Sequence, residues 1–178
     1  MKKFLLTISL YCVIAMMSSC KITNGNSKES GVEKINPTTF ILVRHAEKEK
    51  DRDNPGLTKE GKLRAEKLSS MLRNVPIDAI YSSYYNRTLK TAAPTAEQHG
   101  LEVKIYNPGQ LEETYKMMLE KYKGGTILVV GHSNTTPNFV NLLAGEEKAA
   151  AIDESEYDNL YFVSYFGKDN CDILQLRF

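Results

Sequence analysis

Continuous apolar runs alternate along the chain with stretches in which apolar residues recur every three or four positions. Residues 38–43 form the first run, β-branched and aromatic with no charged break, as a buried central strand requires. Polar residues follow at once, and the next pattern is helical. Thr58 is placed to cap a helix on which Leu63, Leu68, Met71 and Leu72 fall on one face. Residues 77–81 predict a second short strand, 86–100 a helix stopped by Gly100, and 103–106 a third, weaker strand. A helix over 111–122 is broken by Gly124-Gly125, and the strand over 126–130 is the clearest buried strand of all. A further helix covers 136–143, with Gly145 beyond it. Strands over 160–166 and 172–178 close the chain around Gly167-Lys168-Asp169-Asn170, a hairpin signal.

Strands alternating with helices predict an α/β fold: a doubly wound, mostly parallel sheet flanked by helices on both faces, with an antiparallel C-terminal hairpin. In such a sheet, ligands bind beyond the carboxyl ends of the strands. There is no internal repeat.

The first 37 residues do not share this pattern. Lys2-Lys3 precede a short apolar stretch over 4–17, and small residues follow, the layout of a secretory signal. That stretch is shorter than the roughly 20 apolar residues needed to span a bilayer. Met17-Ser18-Ser19-Cys20 resembles a bacterial lipobox, in which the cysteine is lipidated and becomes the mature N-terminus. Residues 20–37, rich in Asn, Ser, Lys, Glu and Gly, read as a flexible tether. The expected organisation is therefore a signal peptide over 1–19, a tether over 20–37 and one domain over 38–178. The expected location is periplasmic or cell-surface, with the membrane reached only through the lipid on Cys20.

Charge and cysteine content narrow the chemistry. Removing Lys2 and Lys3 leaves 21 of the 23 basic residues against 22 acidic ones, a formal charge of −1. A nucleic-acid partner would call for a strong basic excess. Cys12 leaves with the signal and Cys20 is the lipid site, so Cys171 has no partner for an intramolecular disulfide, and no Cys/His cluster has zinc spacing.

Three predicted strand ends carry unusual polar residues: Arg44-His45, then Ser82-Ser83 running on to Arg87, then Gly131-His132-Ser133. If the strands are parallel, all three open on one rim of the sheet. Two arginines with two imidazoles make a compact cationic pocket suited to a phosphoryl group. Arg87, near a helix N-terminus, adds backbone donors and the positive end of the dipole. Adjacent arginines would repel a divalent metal ion, and no carboxylate ligand stands beside the histidines. Either histidine taken alone fits a structural role.

The segments Val43-Arg44-His45-Ala46-Glu47, Leu57-Thr58-Lys59-Glu60-Gly61, Tyr81-Ser82-Ser83-Tyr84-Tyr85-Asn86-Arg87-Thr88 and Val130-Gly131-His132-Ser133 resemble, in order and spacing, the histidine phosphatase superfamily, also called phosphoglycerate mutase-like. The resemblance spans residues 40–143. It implies a cofactor-free α/β enzyme in which His45 is the nucleophile that becomes phosphorylated. Arg44 and Arg87 then bind the phosphoryl oxygens, His132 is the second pocket histidine, and Asn54 is a further phosphate contact. Gln110-Leu111-Glu112-Glu113 is similar to the family segment that carries the general acid, making Glu113 the candidate and Glu112 the second choice. Both also fit an ordinary acidic first helical turn, where Glu is favoured on dipole grounds.

The chemistry is consistent with that resemblance. A neutral imidazole attacks phosphorus in line, and water then hydrolyses the phosphohistidine. Arg44, Arg87 and a protonated His132 would stabilise the equatorial oxygens without a metal. Family mutases cover the site with long insertions, and here only residues 97–125 separate the Arg87 helix from the fourth strand. The chain thus resembles the short phosphatases. A phosphomonoester is the expected substrate, on a small molecule or a protein. Protein phosphohistidine, mutase-type phosphotransfer and noncatalytic capture of phosphorylated ligands are the alternatives. Tyr84, Tyr85 and Tyr115 are candidates for an aromatic substrate wall.

Overall fold

The computed structural model describes residues 36–50 and 53–178. The signal-type segment over 1–19, Cys20 and nearly all of the tether lie outside the described residues.

The four βα-type patterns give strand β1 (Thr38–Arg44), helix α1 (Lys59–Leu72), β2 (Ala79–Ser83), α2 (Asn86–His99), β3 (Val103–Tyr106), α3 (Leu111–Lys121), β4 (Thr126–Gly131) and α4 (Thr135–Ala144). The hairpin β5 (Asn159–Gly167) and β6 (Asn170–Arg177) follows. All six strands form one sheet in the order β3-β2-β4-β1-β5-β6. The first four are mutually parallel, and β5 runs antiparallel to both β1 and β6. The central strands read as uninterrupted apolar runs because both of their faces are covered. Phe40, Leu42, Ile127 and Val129 pack with Met118 of α3 and with Phe139, Val140 and Leu143 of α4. Ile41, Val43, Leu128 and Val130 pack with Leu68 and Leu72 of α1 and with Ala92 and Ala96 of α2.

Local signals operate as the chemistry of caps requires. The Thr58 hydroxyl accepts from the Gly61 amide, and Gly100 ends α2 in the left-handed region at φ 63°. One expectation needs correction. The buried face of α1 is Gly61, Ala65, Leu68, Ser69 and Leu72, whereas Leu63 and Met71 are 63% and 43% exposed. The apolar stripe is narrower than the count of leucines suggests, because α1 packs on α2 and the sheet through small residues. Gly61 is one of them, since a Cβ there would collide with the Glu47 backbone.

β1, β4 and β2 are neighbours at the centre of the sheet, so their carboxyl ends open side by side. Arg44 pairs with Gly131, and the His45 amide donates to the Gly131 carbonyl at 2.9 Å. The rim is thereby fixed to the sheet by backbone bonds.

Candidate active site

His45 lies one residue beyond β1 and is only 3% exposed. Its Nδ1 is 2.8 Å from the Ala46 carbonyl, which only accepts, so Nδ1 carries the proton and Nε2 carries the lone pair. Burial, followed by the charges of Arg44, Arg87 and His132, lowers its pKa to about 3. The imidazole is therefore neutral at any ordinary pH.

His132 follows β4. Its Nε2 is 2.8 Å from the Ser83 hydroxyl, while Nδ1 lies 3.4 Å from the Arg87 Nη2. A guanidinium only donates, so Nδ1 accepts and Nε2–H donates to Ser83, whose own proton goes to the Thr88 hydroxyl at 3.1 Å. Burial and the charges of Arg87 and Arg44 lower its pKa to about 4. The expectation of a protonated His132 is corrected for the free protein: the guanidinium beside it already supplies the positive charge. The Tyr85 ring meets His132 edge-on at 5.1 Å, and the Arg87 guanidinium stacks on Tyr85 at 4.4 Å.

His45, Arg87 and His132 line a single cleft of about 630 Å³, together with Lys48, Tyr85, Pro108, Gly109, Ser133, Asn134, Thr135 and Glu154. Two helices begin there, α2 at Asn86 and α4 at Thr135, so two positive dipole ends add to Arg87 and Lys48. Burial and the neighbouring Arg44 charge lower the Arg87 pKa. Its Nε is buried without a partner. The arrangement suits an anion with several oxygens.

Gly131 makes this convergence possible. A Cβ there would stand 2.8 Å from the Thr135 hydroxyl and 3.0 Å from the hydroxyls of Thr136 and Tyr106. Only glycine lets β4 turn into α4 this closely.

Other expected site residues stand elsewhere. Asn54, at φ 49°, does not line the cleft. Its side-chain oxygen accepts from the Asn86 amide at 2.8 Å and its carbonyl from the Asn86 side chain at 2.9 Å, so it caps the helix that carries Arg87 rather than lining the cleft. Glu112 is paired with Lys116 at 2.6 Å on the surface of α3, one turn along that helix, and Glu113 is exposed; neither lines the cleft. Tyr115 lines a separate groove with Glu112, Lys116 and Tyr165.

Arg44 is 1% exposed and is turned toward the segment that follows α4. Its Nη1 donates to the carbonyls of Asp153 and Glu156 at 2.8 and 2.7 Å, its Nη2 to the Glu154 carboxylate at 2.8 Å, and its plane lies 4.2 Å from the Tyr157 ring. It acts on the cleft through its charge, which bears on both histidines. Sequence reasoning missed Lys48, Ser133 and Glu154. Ser133 and Lys48 adjoin motifs already singled out, while Glu154 sits in an acidic turn indistinguishable from a solvated loop.

A family model for the histidine phosphatase superfamily (branch 1) matches residues 40–108. Solved structures extend the likeness over the rest of the domain. The protein histidine phosphatase SixA complexed with tungstate superposes with a TM-score of 0.66 at 16% identity, covering 78% of this chain and 96% of that one. The chain has a histidine phosphatase fold. YhfR of Bacillus stearothermophilus shares this histidine phosphatase fold, with a TM-score of 0.63 at 14% identity over 76% of this chain and 95% of that one. A mutant phosphoserine phosphatase from Entamoeba histolytica in complex with phosphoserine gives 0.60 at 15% identity over 76% and 94%. No curated protein matches the sequence.

Proposed function

We propose that the chain is a phosphatase that hydrolyses a phosphomonoester through a phosphohistidine formed on His45. The observation that carries the reading is the tautomer of His45: Nδ1 is held by the Ala46 carbonyl, so Nε2 keeps a free lone pair in a cleft shared with Arg87 and His132. Attack by Nε2 on phosphorus expels the alcohol, and water then cleaves the P–N bond. Arg87, Lys48 and the two helix N-termini stabilise the equatorial oxygens, and Arg44 adds its field from behind.

Hydrolysis is favoured over mutase-type transfer because residues 97–125 hold only the end of α2, β3, α3 and short turns. They provide no long cover to keep water from the phosphoenzyme. SixA, a protein histidine phosphatase, supports phosphohistidine protein as the second substrate class. For the ends of the chain the sequence supports lipidation at Cys20 and export, which mass spectrometry of the native N-terminus tests. An unmodified Cys20 overturns that part.

The decisive experiment is rapid quench with labelled substrate. An acid-labile, alkali-stable label is expected on the wild type, and His45→Ala should lose both label and turnover, with EDTA leaving both intact. Hydrolysis of para-nitrophenyl phosphate without a label on His45 overturns the mechanism. Binding without hydrolysis identifies a noncatalytic receptor.

A further inference from the structure

A cleft built for an anion contains one residue that repels anions. Among the described residues that line it, Glu154 is the sole carboxylic acid. Its side chain is 74% exposed, yet it is held at both oxygens: Oε1 accepts from the Ser133 hydroxyl at 2.5 Å and Oε2 from Arg44 at 2.8 Å. The turn that carries it is fixed as well. Arg44 binds the carbonyls of Asp153 and Glu156, and the Ile152 amide donates to the Ser133 carbonyl. The neighbouring carboxylates are committed elsewhere: Glu47 takes a bidentate bond from Arg64, and Asp153 turns back on Ser155. A carboxylate fixed at the mouth of an anion site opposes the binding of substrate and needs a compensating role there. Proton transfer supplies one.

We propose that Glu154 is the proton shuttle of this site, giving its proton to the departing oxygen and later taking one from the attacking water. This rests on the phosphatase reading above. In the free protein the Ser133 hydroxyl and, after it, the Arg44 charge hold its carboxyl below the usual range, so it is a base when substrate arrives. A phosphomonoester, with a second pKa of about 6, brings a proton in its monoanionic form. That proton passes to Glu154, leaving the phosphoryl dianion to the cations. His45 Nε2 then forms the P–N bond. The P–O bond breaks, its electron pair stays on the leaving oxygen, and Glu154 protonates that oxygen. In the second half, water forms the new P–O bond, the N–P pair returns to Nε2, and the water proton goes back to Glu154. The proton leaves with dihydrogen phosphate, so the cycle balances.

The test compares Glu154→Gln with wild type on para-nitrophenyl phosphate, whose phenolate leaves unaided, and on glycerol phosphate, whose alkoxide does not. The glycerol ester should lose roughly 10²–10⁴-fold in kcat/KM, the usual worth of general acid catalysis, and the nitrophenyl ester far less. Label on His45 should still form from the nitrophenyl ester and should persist longer, because its hydrolysis has lost a base. Equal losses on both esters mean that Glu154 only holds Arg44 and its turn, and overturn the proposal. A gain on both means that it merely excludes anions, which overturns the proposal as well. Should the glutamine variant melt early, Glu154→Asp must retain part of the glycerol ester rate that Glu154→Ala loses, and failure to do so also overturns it. The parent reading is judged separately: a wild type that never labels His45 defeats both, whereas a labelled wild type with unchanged leaving-group dependence in the variant defeats the shuttle alone.

Discussion

His45 and His132 differ in which nitrogen the fold occupies, and both are kept from protonation. The folded pKa values of about 3 and about 4 lie below the ordinary 6.5 of the unfolded chain. Acidification from pH 6.5 toward 4 thus adds protons to the unfolded state first. Stability contributed by the neutral imidazoles is fully present above 6.5 and is lost as pH falls through that window, at up to about 1.4 kcal/mol per pH unit per histidine. Urea denaturation at pH 7 and pH 5 should show the loss, and His132→Gln should flatten it. Saturating inorganic phosphate should flatten it too, because a bound dianion favours the protonated rings. A stability curve that stays level between pH 7 and 5 would mean that the rings protonate freely in the fold. At this scale the sequence was informative about residue type and place: His45 and His132 stand at strand ends, where a short apolar run stops, and Arg87 stands in the first turn of the helix after β2. It was silent on direction. Arg44 adjoins His45 in the chain yet faces the turn over 153–156, because alternate residues on a strand point to opposite sides.

At the scale of elements, the site depends on how closely helix N-termini approach the sheet. Gly131→Ala places a methyl against three hydroxyls and must push α4 outward. Destabilisation of roughly 1–3 kcal/mol is expected from overpacking. Phosphate affinity should fall with it, because the α4 N-terminus moves; thermal melting with and without phosphate measures both. An undiminished phosphate shift in the variant would remove α4 from the anion site. Periodicity located α4 within a residue and named the Thr58 and Gly100 caps, since each is a local matter of hydrogen bonds and φ. It could not locate Glu154, whose segment has no regular element, nor separate Glu113 from an ordinary acidic first turn. Only the packing of the 150–158 segment against Arg44 distinguishes the two carboxylates.

At the scale of the molecule, β1 stands in the middle of the sheet although it is the first of the six strands among the described residues. Thr39 pairs with Thr126 on one side and Phe40 with Val163 on the other. Its two edges are therefore paired only once β4 and β5 have been made. A chain beginning at Asn36 should fold and turn over substrate normally. One ending at Tyr122 should show no cooperative unfolding, which circular dichroism in urea would reveal; a sharp transition in that fragment would mean that β1 finds cover locally. The same order of strands has a consequence in time. Bringing such distant partners together is slow, because the loop must close before any contact rewards it. His45 therefore emerges early during synthesis but lacks the surroundings of the cleft until the strands and helices that follow it are present. The His45 imidazole meets Arg87 and His132 only once α2 and β4, which come later in the chain, have been made and packed.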